Sequence, residues 1–317
     1  MFIMWIEVGL ILTGIVMLYY GGDLLIAGCI HIAHNFKITP FIIGATIIGF
    51  GTSAPELAVS VFASLKEASS VALGNAIGSN ITNICLVLGL TVLLRAILVS
   101  KKTFNTETPP LLFATTLIAI MAWDHEISRT EGVILLLLTV GYVFRTFKKN
   151  GAKEAGNAEE KTLRFTNFGI SVQLLILFSG LLILVTGAHL LVTGAVSIAR
   201  SYGISEWLIG ITIVAIGTSL PEIVTSLMAS LRGHHEMSIG NIYGSNIFNI
   251  GLVVGTASII NPLYIREAIH PDLVISTLIT FLLVFLIKVK YLITPHHGVI
   301  LIGCYISYIM AKSFQIF

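Results

Sequence analysis

Gly51-Thr52-Ser53-Ala54-Pro55-Glu56 returns as Gly217-Thr218-Ser219-Leu220-Pro221-Glu222. Each copy is followed at the same distance by a second polar run, Gly74-Asn75-Ala76-Ile77-Gly78-Ser79-Asn80-Ile81-Thr82-Asn83 and then Gly240-Asn241-Ile242-Tyr243-Gly244-Ser245-Asn246-Ile247-Phe248-Asn249. The offset is 166 residues without a gap, and 23 of the 47 positions from Gly44 to Leu90 are identical to their counterparts. The flanking sequence is apolar and almost uncharged. A carboxylate in such surroundings is costly unless something pairs with it, so it marks a function by default. Two of them in matching places point to one shared cation site.

The wider composition sets the class. The chain is 56% hydrophobic and 11% charged, with a mean hydropathy of +0.95, which excludes a soluble domain. A helix needs ~20 apolar residues to cross a bilayer. Ten such stretches are present, roughly 3–33, 39–65, 71–95, 108–123, 129–147, 166–199, 205–231, 237–260, 268–287 and 297–314. Strands are not expected, because the apolar runs are long and do not alternate. The first stretch lacks a basic leader and a cleavage site and reads as a span, not a removable signal. Cys29, Cys85 and Cys304 stand alone in apolar segments, without the spacing of a metal site or a disulfide framework. A net charge of +2 gives no reason to expect a nucleic-acid partner, and no obligate protein partner is evident.

With ten alternating spans and the N-terminus outside, 13 of the 18 lysines and arginines fall on the cytoplasmic side. Both termini are then outside, in a multi-pass protein of the cell (inner) membrane. Residues 148–165 are polar and mixed in charge, and read as a cytoplasmic linker. They separate a first five-helix repeat, 1–147, from a second, 166–317. Five is an odd number, so the second copy enters the membrane from the opposite side. The expected fold is all-α: ten transmembrane helices as two inverted repeats, with broken helices at the midplane. That architecture belongs to alternating-access transporters.

Pro55 has no N–H for the carbonyl of Gly51, and Ala54 before it is biased out of helical geometry, so the second span should break there. Pro221 repeats the break in the seventh span. Ser53-x-x-Glu56 has the form of a capping box. Glu56, Ser60 and Ser64 lie four apart on one face, as do Asn75, Ser79 and Asn83 in the next span, and the second repeat matches both stripes. Gly74 with Gly78 and Gly240 with Gly244 read as small-residue packing pairs. Asn80 and Asn246 point elsewhere on their helices and read as structural. Two carboxylates with carbonyls, hydroxyls and amides, and no His or Cys, make a hard-oxygen site for Ca²⁺, Na⁺ or Mg²⁺. A flexible cage carrying two negative charges favours calcium over magnesium.

These motifs resemble the two α-repeats of the cation/calcium exchanger superfamily, most closely its prokaryotic sodium/calcium exchanger branch. The resemblance spans nearly the whole chain. It implies an ion chamber built from spans two, three, seven and eight, in which Glu56 and Glu222 hold Ca²⁺ with the main chain at Thr52 and Thr218. It further implies sodium sites drawing on Ser53, Ser219, Ser79, Ser245, the two glutamates and the carbonyls near Gly49 and Ala215. Asn83 and Asn249 complete the set as neutral amides. Asn249 stands where some relatives carry an aspartate, which argues against potassium dependence. The expected activity is sodium-driven calcium antiport, with sodium and calcium as cargo and no resident cofactor. Calcium/proton exchange and potassium-dependent exchange are the alternatives within transport. An intramembrane hydrolase or a channel would be a different class. The symmetric polar shells disfavour the hydrolase, because an acid and a base need unlike environments.

Other polar residues read as background. Asp23, whose repeat counterpart is His189, is expected to be a structural carboxylate near the cytoplasmic end. His234-His235 and His296-His297 are expected in loops, and Glu7, Asp124, Glu126, Glu131, Glu206 and Glu267 at span ends.

Overall fold

A computed structural model describes residues 2–150, 169–204, 209, 213, 215–265 and 269–314. Linker residues 151–165 and most of 205–214, the start of the expected seventh span, lie outside the described residues. The elements follow the repeat. In the first half they are α1 (Phe2–Phe36), the bent pair α2 (Pro40–Thr52) and α3 (Ala54–Leu65), α4 (Ser69–Leu94), α5 (Lys101–Met121) and α6 (Arg129–Asn150). In the second half they are α7 (Ile170–Ser201), α8 (Ala215–Thr218) and α9 (Leu220–Leu231), α10 (His235–Ile260), α11 (His270–Lys290) and α12 (Pro295–Ser313). Among the described residues six helices are long and apolar enough to cross a membrane, and seven if α2–α3 is one span.

Capping residues set the helix starts. Ser100 accepts from Thr103 N (3.0 Å) to open α5. Ser128 and Glu131 form a reciprocal capping box at the start of α6, so this glutamate has a local structural task. His296 and His297 lie in the first turn of α12, not in a loop, and His297 completes a capping box with Thr294. Pro110 in α5 cannot donate to the carbonyl of Thr106. The guanidinium of Arg145 donates to that carbonyl instead, at 2.8 Å.

Lipid offers no hydrophobic drive for one helix to meet another, so close backbone approach has to supply the attraction. The two longest helices, α1 and α7, pack antiparallel through glycines. Gly14 lies against Gly187, Gly21 against Gly180, and Gly28 against Leu177. Asn35 donates to Gln173 at one end of this pair, and Ser197 donates to Glu7 at the other. Glu7 is therefore buried between helices and is not an interfacial charge. Asp23 of α1 pairs with Arg232 at the end of α9.

Four two-residue strands appear where none was expected. Ile97–Leu98 pairs antiparallel with Leu292–Ile293, and Glu126–Ile127 with Leu263–Tyr264. Adding the repeat offset to one pairing gives the other. The core shows the same exchange: Asn80 donates to the main-chain oxygen of Asn246, its own repeat counterpart, at 3.2 Å. α4 and α10 therefore meet at the point where the halves interchange.

Candidate functional site

The two proline breaks build the site. α2 and α3 meet at Ser53 with a bend of 43°. Ser53 (φ −80°, ψ 1°) and Ser219 (φ −88°, ψ 3°) occupy equivalent positions, with Pro55 and Pro221 in the first turn of the helix that follows. The expected capping box does not form at either break: neither serine makes a side-chain cap bond. Ser128-x-x-Glu131 has the same local pattern and closes its box, so the pattern is able to cap. At the breaks the glutamate carboxylates are left without a capping bond and lie buried in the protein.

Glu56 and Glu222 are each 1% exposed, and their charges are close enough to interact. Among the described residues neither carboxylate makes a hydrogen bond or ion pair of good geometry, and the Thr52 hydroxyl faces Glu222. The hydroxyls of Ser53 and Ser219 and both amide atoms of Asn83 and Asn249 are likewise buried without partners. These residues fall into three repeat-related pairs. A buried polar group without a partner costs about 1–3 kcal/mol, and more when charged. A repeat-paired set of such groups that includes two carboxylates fits the donor chemistry of a hard-cation site.

Asn83 and Asn249 each open a π-helical turn, Asn83–Val87 and Asn249–Val254. The wider turn interrupts the regular bonding of α4 and α10 beside the carboxylates, a frequent feature of functional sites. Apolar periodicity carries no sign of it.

The rest of the polar set divides. Thr52 Oγ1 donates to Asn241 Oδ1 (3.3 Å) and lies 3.2 Å from Ser245 Oγ, tying the first break to α10. Ser79 is buried on the matching face of α4, and Thr218 is half-buried at the end of α8. The Gly49 carbonyl accepts from Ser53 N at 3.1 Å, and Ser219 N donates to Ile216 O at 3.1 Å. Along the stripes, Ser60 donates to Ala72 O (3.0 Å) and Ser64 to Ala257 O (2.6 Å). Asn75 donates to Glu56 O (3.1 Å) and Ser60 Oγ (2.9 Å). These three hold helices together, so each stripe carries packing at one end and free donors at the other.

Glycines hold α2 close to α10. A Cβ on Gly240 would lie 2.5 Å from the Phe41 carbonyl oxygen, and one on Gly49 would lie 3.0 Å from Ser245 N. At the counterparts of Gly240 and Gly244, Gly74 and Gly78, a Cβ would meet nothing within 4 Å among the described residues. The small-residue pair thus packs helix on helix in α10; Trp207 and Ile211, the repeat counterparts of Phe41 and Ala45, lie outside the described residues.

Residues 6–148 and 172–314 match the sodium/calcium exchanger protein family, one segment on each half. A membrane protein of Methanocaldococcus jannaschii is 38% identical over 275 residues, covering 87% of this chain and 89% of its own length. A sodium/calcium exchanger of Methanosarcina acetivorans is 29% identical over 338 residues, covering 95% of this chain and 97% of that one. Among solved structures, the sodium-calcium exchanger NCX_Mj soaked with zero Na⁺ and Ca²⁺ aligns with a TM-score of 0.85 at 34% identity, over 99% of each chain.

Proposed function

The chain belongs to the sodium/calcium exchanger protein family, and from that premise we propose that it is a secondary antiporter that extrudes calcium against sodium entry. The observation that carries this reading is the repeat-paired set of buried, unpartnered donors: Glu56, Ser53 and Asn83 with Glu222, Ser219 and Asn249. All are oxygen or amide donors, and the two carboxylates balance one divalent ion or two monovalent ones. One shell can therefore hold either cargo in turn, which is what exchange requires.

In this reading Glu56 and Glu222 are shared by calcium and sodium. The main chain at Thr52 and Thr218 completes the calcium site. Ser53, Ser219, Ser79, Ser245 and the carbonyls of Gly49 and Ala215 serve sodium, and Asn83 and Asn249 supply neutral donors. The protein lies in the inner membrane as ten spans in two inverted five-helix repeats, with both termini outside. The antiparallel α1–α7 packing and the interchange of strand pairs support the inversion. The lysine and arginine distribution supports the orientation.

The test is uptake of ⁴⁵Ca²⁺ into sodium-loaded proteoliposomes, with potassium or a proton gradient replacing sodium in parallel. Uptake that needs internal sodium supports the reading. Equal uptake driven by potassium or protons would overturn it in favour of the other exchangers.

A further inference from the structure

Among the polar positions at which the repeats differ, one bonds the turn that carries a carboxylate. Thr225, in the first turns of α9 behind Glu222, is 1% exposed, and its counterpart in α3 is Val59. The difference rewires the second half. In the first half Asn75 reaches the main-chain oxygen of Glu56 directly, at 3.1 Å. In the second half Asn241 donates to Thr225 Oγ1 (2.9 Å) and Ser226 Oγ (2.9 Å). Thr225 Oγ1 in turn donates to the carbonyl of Pro221 (2.7 Å), with that of Glu222 at 3.2 Å. The hydroxyl thus stands between the amide of α10 and the helical turn that carries the second carboxylate. It also leaves Asn241 Oδ1 turned toward Thr52 Oγ1 and Ser245 Oγ, across the site.

We propose that Thr225 is a positioning residue that sets the spacing of the two carboxylates and thereby the preference for calcium over sodium. The inference rests on the exchange reading above. One divalent ion uses both carboxylates at once, so its binding depends on the distance between them. A sodium ion can be balanced by one carboxylate and follow its movement. Loosening the turn that carries Glu222 therefore weakens calcium more than sodium.

The test compares Thr225→Val, Thr225→Ala and Thr225→Ser by ⁴⁵Ca²⁺ binding to the purified protein, sodium competition, and exchange in proteoliposomes. Removing the hydroxyl should raise the calcium concentration for half-maximal binding about fivefold, the scale of one buried hydrogen bond. The sodium midpoint should move by less than about twofold, and maximal exchange at saturating calcium should be retained. Thr225→Ser keeps the hydroxyl and should behave as wild type. Thr280→Val removes a buried hydroxyl that bonds only its own helix, at Ser276 O, and should change neither affinity. Unchanged calcium affinity in both Thr225→Val and Thr225→Ala, equal shifts for the two ions, or no rescue by serine would overturn the proposal. Wild-type protein in the same vesicles tests the exchange reading separately. If it exchanges and Thr225→Val matches it, only the role of Thr225 falls.

Discussion

Replacing either buried glutamate by glutamine keeps the side-chain shape and removes one of the two charges that balance a divalent ion. Breaking one partner of a buried charge pair costs about 3–5 kcal/mol. Glu56→Gln and Glu222→Gln should each lower calcium flux by ~100-fold or more. Because neither carboxylate holds a structural bond among the described residues, both variants should keep wild-type helicity and elution volume. Wild-type flux from either would remove the pair from the site. The serines give a sharper contrast. Ser128 closes a capping box and Ser53 makes no cap bond. Ser128→Ala should lower stability by about 1 kcal/mol. Ser53→Ala should leave the melting temperature unchanged and weaken sodium dependence. A stability loss at Ser53 would restore the capping reading.

Between α2 and α10 the contact is backbone on backbone, so its tolerance is small. Gly240→Ala places a methyl 2.5 Å from the Phe41 carbonyl and should destabilise by about 1–3 kcal/mol, read in thermal unfolding. Gly303→Ala in α12, where a Cβ would meet nothing within 4 Å, should have no such effect. How much of this was legible in the chain depends on what each feature obeys. The repeat, the proline breaks and the carboxylate pair are local facts of residue type and spacing, so the sequence alone carries them. Asn80 could be set aside for the same reason, since its helix face differs from that of Asn83. The capping box at Ser53 misled because the pattern fixes what can bond, not which partner wins. The π-helical turns at Asn83 and Asn249 leave no mark in apolar periodicity, because they shift hydrogen-bond register without moving the hydrophobic face far. The burial of Glu7 and the Asp23–Arg232 pair depend on α1 meeting other helices, which no single segment encodes. Thr225 was visible only as a mismatch with Val59, and its meaning came from the bonds around it.

For the molecule as a whole, the question is what charge each cycle carries across the bilayer. Two carboxylates neutralise one Ca²⁺ or two Na⁺, yet Asn83, Asn249, Ser79 and Ser245 add neutral donors beyond what two sodium ions need. A third sodium can then enter without new fixed charge, and each cycle moves one net positive charge inward as calcium leaves. One elementary charge crossing 100 mV is worth ~2.3 kcal/mol, so the membrane potential would drive extrusion alongside the sodium gradient. In sodium-loaded proteoliposomes clamped with potassium and valinomycin, calcium uptake runs with net positive charge leaving the lumen. An interior-positive potential favours that exit and should speed uptake; an interior-negative potential should slow it. A rate indifferent to potential would mean electroneutral exchange of two sodium ions for one calcium. In that case the paired amides at Asn83 and Asn249 serve the geometry of the two-ion site, and substituting them should change affinity without changing the sodium-to-calcium ratio.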